Sequence, residues 1–132
     1  MTIMISVPSD DAKAIFEGEK TWELRKVYPN QIKLPSSVMV YAPKPVGCVL
    51  GFFATTKIVA WTAKEWIDYG EQLCWTQEQI ADYLQGKVGY GINIVNPRRI
   101  EPIPLEKLIK LGIKPPQLYT YLSRREVLGI LR

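Results

Sequence analysis

Histidine is absent from this 132-residue chain, and cysteine occurs only as Cys48 and Cys74. The lack of histidine excludes Ser-His-Asp and Cys-His hydrolysis and removes the commonest general base. Two cysteines cannot supply the four ligands of a structural zinc site, so neither a metal nor another cofactor is expected. Both thiols are expected to stay free and to pack as small apolar groups, because the spacing fits no metal site and the compartment is expected to be reducing.

Long apolar runs are also missing. No stretch approaches the roughly 18 residues needed to cross a bilayer, and the N-terminal residues lack the basic and apolar regions of a secretory signal. Apolar residues make up 47% of the chain and charged residues 23%, as is typical of soluble globular proteins. We therefore expect a single cytoplasmic domain over residues 1–132 that makes no contact with a membrane.

Positive charge is concentrated near the C-terminus. The formal net charge is +4, but residues 1–97 carry nine Lys and Arg against ten Asp and Glu, whereas residues 98–132 carry eight against three. A basic end on a nearly neutral body predicts a face that attracts polyanions. A solvated helix surface with a few salt bridges explains the same composition equally well.

Hydrophobic periodicity predicts an α+β fold. The expected strands are residues 2–7, 21–26, 37–42, 46–61, 87–95 and 98–103, with a break at residues 96–97. The expected helices are residues 9–17, 62–69, 76–85 and 104–111, and a last one beginning at residue 123. Ser9 or Asp10 is expected to cap the first helix and Gly18 to end it. Gly47 and Gly51 are expected to bend the fourth strand, as a small barrel requires.

The most informative segment is Gly18-Glu19-Lys20-Thr21-Trp22-Glu23-Leu24-Arg25-Lys26, which turns from the first helix directly into a strand. Because side chains alternate across a strand, Thr21, Glu23 and Arg25 are expected on one face, and Trp22 and Leu24 on the other. A carboxylate, a guanidinium and the nearby ammonium of Lys20 suit a polar, planar or phosphorylated ligand. A solvated ion pair of little energetic weight explains the spacing as well.

The order Gly-x-Lys-Thr-x-Glu-Leu-Arg after a short helix resembles the signature of ASCH (activating signal cointegrator homology) domains. These belong to the PUA-like superfamily of small RNA-associated β-barrels. Residues 38–43 and 45–53 resemble the central strands of the family, residues 89–94 a later strand, and residues 111–122 the closing segment of one branch. That branch consists of small prokaryotic proteins described as transcriptional regulators. The resemblance spans residues 3–122 and implies a PUA-like small curved β-barrel with inserted and flanking helices.

In ASCH-like domains the helix after the first strand and the signature segment line a cleft beside the barrel. The ligand-binding residues that the resemblance implies are Lys20, Thr21, Glu23, Arg25, Tyr41, Lys44, Gln117 and Tyr119. Tyr121 and the tryptophans, by contrast, are expected to pack in the core and stay outside the site.

The leading interpretation is a module that binds RNA or a modified nucleotide. Base stacking and charged hydrogen bonds from Lys20, Glu23 and Arg25 would hold an unpaired base, while the basic C-terminal residues engage phosphates. DNA is not excluded as a partner, and the sequence leaves the oligomeric state open.

Two alternatives stay open at this stage. Some ASCH-like proteins hydrolyse acylated cytidines and others are nucleases, so Lys20 could activate a nucleophile while Glu23 moves the proton. The chain departs from the amidohydrolase branch, however, because Glu23 stands where that branch has a hydroxyl residue. Glu71 is a candidate for the branch's downstream carboxylate. The other alternative is a regulatory module that acts through contacts with another protein.

Overall fold

The chain alternates strands with short helices along its whole length, which confirms the predicted α+β class. A computed structural model describes every residue from Met1 to Arg132. The strands are β1 (Thr2–Ser6), β2 (Trp22–Arg25), β3 (Ser36–Ala42), β4 (Cys48–Thr55), β5 (Ile58–Trp61), β6 (Gly89–Asn93), β7 (Val95–Pro104) and β8 (Tyr119–Leu122). The α-helices are α1 (Ser9–Phe16), α2 (Ala63–Trp66), α3 (Gly70–Leu73), α4 (Gln77–Leu84), α5 (Leu105–Lys110) and α6 (Arg124–Leu131), with a 3-10 turn at Ile67–Tyr69.

The strands form two sheets that do not close into a barrel, whereas the resemblance implied a small curved β-barrel. The large sheet has the order β7-β4-β3-β1-β8, and the small sheet has the order β2-β6-β5. β1 pairs in parallel with β3 and antiparallel with β8, while the remaining neighbours are antiparallel. The parallel pair is possible because α1 and β2 carry the chain across between β1 and β3.

The split into two sheets occurs where a single long strand was predicted. The predicted strand 46–61 divides into β4, in the large sheet, and β5, in the small sheet. The Asn93 side chain holds this division: its Oδ1 accepts hydrogen bonds from the Thr56 and Lys57 amides and from Thr55 Oγ1, at 2.8–3.0 Å. These amides are therefore bound to a side chain at the crossing point, and β4 ends there.

Three apolar layers hold the sheets and helices together. The first lies between the two sheets and includes Ile3, Ile5, Val38, Val40, Phe53, Ile92 and Ile94. The second packs the other face of the large sheet against α5 and α6 and includes Met4, Met39, Tyr41, Leu108 and Ile130. The third packs the small sheet against α2, α3 and α4 around the fully buried Trp66. Burial of such side chains contributes roughly 1.5–3 kcal/mol each and dominates the stability of the fold.

The strand β7 continues through the break that was predicted at residues 96–97. Asn96 has a φ of +50°, and the pairing of β7 with β4 shifts register between Phe52 and Ala54, so the irregularity is absorbed as a bulge. A proline in this strand is tolerated because β7 lies at the edge of the large sheet, where one row of amides has no partner. The bulge predicted at Gly51 is confirmed by a second shift between Val49 and Gly51.

Two local predictions are wrong. Neither Ser9 nor Asp10 caps the first helix, because the helix already includes them and Pro8 occupies the preceding position without a side-chain cap. Cys74 is exposed rather than packed, and it lies at the end of α3, where the backbone takes a left-handed conformation with a φ of +57°. None of the helices combines the length and the apolar character needed to span a bilayer.

Candidate functional site

A tight reversal between α1 and β2 fixes the position of Lys20. Gly18 adopts a φ of +81°, which glycine reaches without a steric penalty, and its predicted role at the helix end is confirmed. The amides of Glu19 and Lys20 both donate to the Ala14 carbonyl at 3.0 Å. The chain therefore returns beside α1 before β2 begins, and Lys20 lies between the helix and the small sheet.

Glu23 and Arg25 share one face of β2, as the alternation predicts. Arg25 Nε donates to Glu23 Oε2 at 2.9 Å, and Arg25 Nη2 lies 2.8 Å from the same oxygen as an ion pair. Its Nη2 also donates to the Ser6 carbonyl at 2.7 Å, at the end of β1. Trp22 and Leu24 belong to the layer around Trp66 on the opposite face. The pair therefore connects the small sheet to the large one, which a solvated surface pair would not do.

The ammonium group of Lys20 lies at the centre of this arrangement. It donates to the Leu73 carbonyl at 2.6 Å and lies 3.7 Å from Glu23 Oε1 and 3.9 Å from Asp11 Oδ1. It is also 5.0 Å from the centre of a Trp75 ring, within cation–π range. Two cations thus face two carboxylates. We call Asp11, Lys20, Glu23 and Arg25 the ion cluster.

Burial perturbs the charged groups of the ion cluster in different ways. Desolvation disfavours the Arg25 charge, but the adjoining Glu23 carboxylate more than offsets this and raises the pKa of the guanidinium. Burial likewise raises the pKa of Asp11, and Glu23 adds to this effect while Lys20 opposes it. Oε1 of Glu23 is buried and receives no hydrogen bond from the protein. The cluster therefore retains an acceptor that is not satisfied by protein donors.

An open hollow of about 580 Å³ lies against the outer side of the ion cluster. Its lining residues are Pro8, Asp10, Asp11, Cys74, Trp75, Gln79, Asp82 and Tyr83. The indole Nε1 of Trp75 donates to Asp11 Oδ1 at 3.4 Å, and the Trp75 and Tyr83 rings meet edge to face, with centroids 5.1 Å apart. We call this concavity the acidic hollow, because Asp10, Asp11 and Asp82 are its charged lining residues.

The three signature residues lie beneath the accessible surface rather than on it. Lys20 is 0% exposed, Glu23 5% and Arg25 8%, because their ion pairs and the two backbone carbonyls hold them inside. Thr21, next to them in sequence, is exposed, and its amide donates to the Gln72 carbonyl at 2.8 Å. The expected cleft is therefore reached through Asp11, Trp75 and Tyr83, with the signature residues behind them.

Tyr119 lies near the ion cluster, as expected, and its hydroxyl donates to the Val27 carbonyl at 2.8 Å. Burial raises the pKa of Tyr119 even though the Arg25 charge acts in the opposite direction. Its ring packs against the layer between the two sheets. Tyr119 therefore supports this region from β8 and is not freely accessible to a ligand.

The structure does not bring Tyr41, Lys44 or Gln117 to the ion cluster. Tyr41 is buried in the layer on the opposite face of the large sheet, because neighbouring positions of β3 alternate between the two faces. Lys44 lies in the exposed turn between β3 and β4, and Gln117 lies in the exposed segment before β8. Neither makes an ion pair or a hydrogen bond with the cluster.

Sequence reasoning missed Asp11, Trp75 and Tyr83. Asp11 lies within the predicted helix 9–17, and Trp75 is among the tryptophans that the sequence predicts for the core. No local signal relates Asp11 to the other two, since Trp75 and Tyr83 follow it by 64 and 72 positions. No group of three or more Cys, Asp or Glu side chains converges as a set of metal ligands.

Comparison with known proteins gives a consistent set of relatives. No protein-family model matches the chain. An ASCH domain-containing ribonuclease of Zymomonas mobilis is 32% identical over 127 residues, which cover 93% of this chain and 85% of the relative. The crystal structure of ASCH from the same organism has a TM-score of 0.89 at 30% identity and covers 98% of this chain and 93% of that one. The N-terminal domain of Staphylothermus marinus McrB, with a TM-score of 0.64 at 8% identity, shares the fold alone.

Proposed function

Because this chain belongs to the ASCH domain family, we propose that it binds single-stranded RNA and accommodates one unstacked base in the acidic hollow. The observation that carries the proposal is the 32% identity, over 93% of the chain, to an ASCH domain-containing ribonuclease. A protein that cleaves RNA must first bind it, so RNA binding is the property that such relatives are most expected to share.

The lining of the acidic hollow supports the binding of a base rather than of a phosphate. Stacking of a base on an aromatic ring such as that of Trp75 contributes roughly 1–3 kcal/mol. Ionised carboxylates accept hydrogen bonds but donate none, so Asp10, Asp11 and Asp82 suit the exocyclic amino groups of adenine, cytosine or guanine. The same charges repel phosphate. Uracil lacks an amino group and should bind most weakly.

Fluorescence anisotropy with labelled oligonucleotides of adenine, cytosine or uracil, each about 12 nucleotides long, tests this proposal. The adenine and cytosine oligonucleotides are expected to bind more tightly than the uracil one. Trp75→Ala should weaken their binding by about 10-fold to 100-fold, corresponding to the loss of one stacked base. Trp61→Ala is the matched control, because Trp61 lies beside Tyr69 in a different concavity. Absence of affinity for all three oligonucleotides at low salt would exclude the proposal.

Lys20 and Arg25 are poor positions for a binding test. Both are enclosed, and each donates to a backbone carbonyl. Replacing either would remove one of the two buried cations that face Glu23, so the variant would report on folding rather than on contact with RNA.

Cleavage of RNA is the second candidate function, favoured by the ribonuclease name of the Zymomonas mobilis relative. In this chain Asp11 is suited to general acid–base work, because its carboxyl borders the hollow and burial raises its pKa above the ordinary value. A gel assay of a labelled RNA, with and without Mg²⁺, should show shortened products for the wild type and fewer for Asp11→Asn. Intact RNA after prolonged incubation in both buffers would leave binding as the function.

The remaining alternatives have less support. Lys20 is fully buried and donates to a carbonyl, so no observation favours it as the activator in an amidohydrolase. Glu71 is exposed on α3 and takes no part in the ion cluster. A regulatory role in transcription and a cytoplasmic location stay predictions. Co-purification of a protein partner in stoichiometric amount would favour the regulatory module.

A further inference from the structure

A second concavity, of about 470 Å³, lies beside β4 and β7. Its lining residues are Ser37, Phe52, Phe53, Ala54, Asn96, Arg98, Arg99 and Ile100. We call it the arginine groove, because Arg98 and Arg99 are its charged residues and no carboxylate lines it. Its charge is therefore opposite in sign to that of the acidic hollow.

Both guanidinium groups of the arginine groove are available to a ligand. Arg98 and Arg99 are exposed, and every ion pair of the structure lies in the ion cluster, so neither arginine is neutralised by a carboxylate within 4.0 Å. The Arg99 guanidinium lies 5.1 Å from the centre of the Phe16 ring, at the end of α1. This contact orients one arginine without neutralising its charge.

The two arginines lie on opposite faces of β7, which is the edge strand of the large sheet. Adjacent residues of a regular strand point to opposite faces. Phe52 pairs with Arg98 and Gly51 with Arg99 in regular register, so Arg98 lies on the face of Phe52 and Arg99 on the face of α1, against Phe16. Because β7 is the edge strand, an RNA strand that follows this edge can contact both guanidinium groups.

We propose that the arginine groove binds successive phosphates of the single-stranded RNA whose base occupies the acidic hollow; this inference rests on the proposed function. Arginine presents a fork of donors that matches phosphate oxygens, and the Asn96 amide and the Ser37 hydroxyl add neutral donors. The half-buried Phe52 offers an aromatic ring to the adjoining nucleotide. The acidic hollow cannot fill this role, because its carboxylates repel phosphate.

Helix α1 relates the two concavities. Asp11, in its first turn, borders the acidic hollow, and Phe16, at its last position, contacts Arg99. At a rise of about 1.5 Å per residue these positions lie roughly 7.5 Å apart along the helix axis. A strand of a few nucleotides is therefore long enough to pass from the acidic hollow to Arg99 at the edge of the large sheet.

The salt dependence of RNA binding tests the inference. Affinity for a labelled adenine oligonucleotide of about 12 nucleotides is measured by anisotropy between about 50 and 200 mM salt, for the wild type and for Arg98→Gln/Arg99→Gln. Log affinity falls as log salt rises, with a slope of about −0.7 for each phosphate contact to a single strand. Loss of two phosphate contacts should therefore make this slope less steep by about 1.4. At the lowest salt, affinity should fall at least about tenfold.

The matched control is Arg124→Gln/Arg125→Gln, which removes the same charge from exposed consecutive positions of α6. This control variant should leave the slope nearly unchanged. An equal effect of both variants would overturn the inference, because it would show that RNA responds only to the net charge of the protein. Arg98→Gln alone leaves the contact between Arg99 and Phe16 in place and should make the slope less steep by about 0.7.

If the wild type binds RNA and the groove variants bind it equally well, this inference fails while the proposed function stands. If the wild type binds no RNA, the proposed function fails with it.

Discussion

Arg25 binds a single oxygen of Glu23, Oε2, through two of its nitrogens, at 2.9 and 2.8 Å, and Lys20 lies 3.7 Å from the other oxygen, Oε1. The Glu23 carboxylate therefore balances two buried cations. Asp11 supplies a second carboxylate, at a greater distance from Lys20. Since the pair also reaches the Ser6 carbonyl at the end of β1, the same charges hold the two sheets together.

Replacement of Glu23 by alanine should strongly destabilise the protein. Lys20 and Arg25 would remain buried with their closest opposite charge removed, and breaking a buried pair in this way costs about 3–5 kcal/mol. Urea denaturation followed by circular dichroism measures the loss in the free energy of unfolding. Glu19→Ala, an exposed position on the same segment, should change stability by less than about 0.5 kcal/mol. Similar effects for both variants would mean that the ion cluster contributes little.

Asp11 should make the protein less stable as the pH rises. Burial raises the folded-state pKa above the ordinary value of 3.8, so folding favours the protonated carboxyl. This contribution is complete below about pH 3.8 and is lost as the pH rises through the higher folded pKa. The stability of the wild type relative to Asp11→Asn, measured by thermal unfolding across this window, should therefore decline with pH. A relative stability that increased with pH would show that the Lys20 attraction outweighs burial.

Gly51→Ala should be among the most damaging single substitutions. A methyl group there would overlap the Arg98 carbonyl oxygen and lie 2.7 Å from the Phe16 ring, inside the β4–β7 pairing and beneath the arginine groove. We expect a loss of at least about 2 kcal/mol from overpacking. Gly129→Ala, in helix α6, meets its nearest atom at 3.3 Å on the flexible end of Leu111 and should be neutral or stabilising. Chemical denaturation compares the two, and equal losses would contradict the packing argument.

Tyr119→Phe removes one hydroxyl and should cost about 1 kcal/mol. That hydroxyl donates to the Val27 carbonyl at 2.8 Å and ties β8 to the segment after β2. Tyr90→Phe is the control, because the Tyr90 hydroxyl makes no hydrogen bond within the protein, while its ring packs edge to face on Tyr28. A melting temperature unchanged by the first substitution would show that water replaces the Val27 contact without loss.

Local sequence signals account for much of the fold near the signature segment. The glycine-ended helix and the alternation of side chains on β2 follow from backbone geometry within a few residues, and so does the placement of Glu23 and Arg25 on one face. Such rules do not give the degree of burial. The burial of Lys20 depends on the Leu73 carbonyl, 53 positions away, and on Trp75. Neither of these contacts can be predicted from the sequence of the signature segment alone.

The division of the strands between two sheets could not be predicted for a related reason. Residues 46–61 are continuously compatible with a strand, so their periodicity favours one long element. The chain changes sheets because Asn93, more than 35 positions later, binds the amides of Thr56 and Lys57. The acidic hollow and the arginine groove likewise combine residues from distant segments, and composition indicated only the excess of basic residues near the C-terminus.

The position of β1 between β3 and β8 has a consequence for how the protein is made. As a nascent chain leaves the ribosome, Thr2–Ser6 can pair with Ser36–Ala42 early, but their sheet gains its final strand only when Tyr119–Leu122 has been synthesised. Until then one side of the first strand is an unpaired apolar edge, the kind of surface to which other chains add. Self-association of the nascent chain is therefore expected to be most favourable before Tyr119–Leu122 has been synthesised.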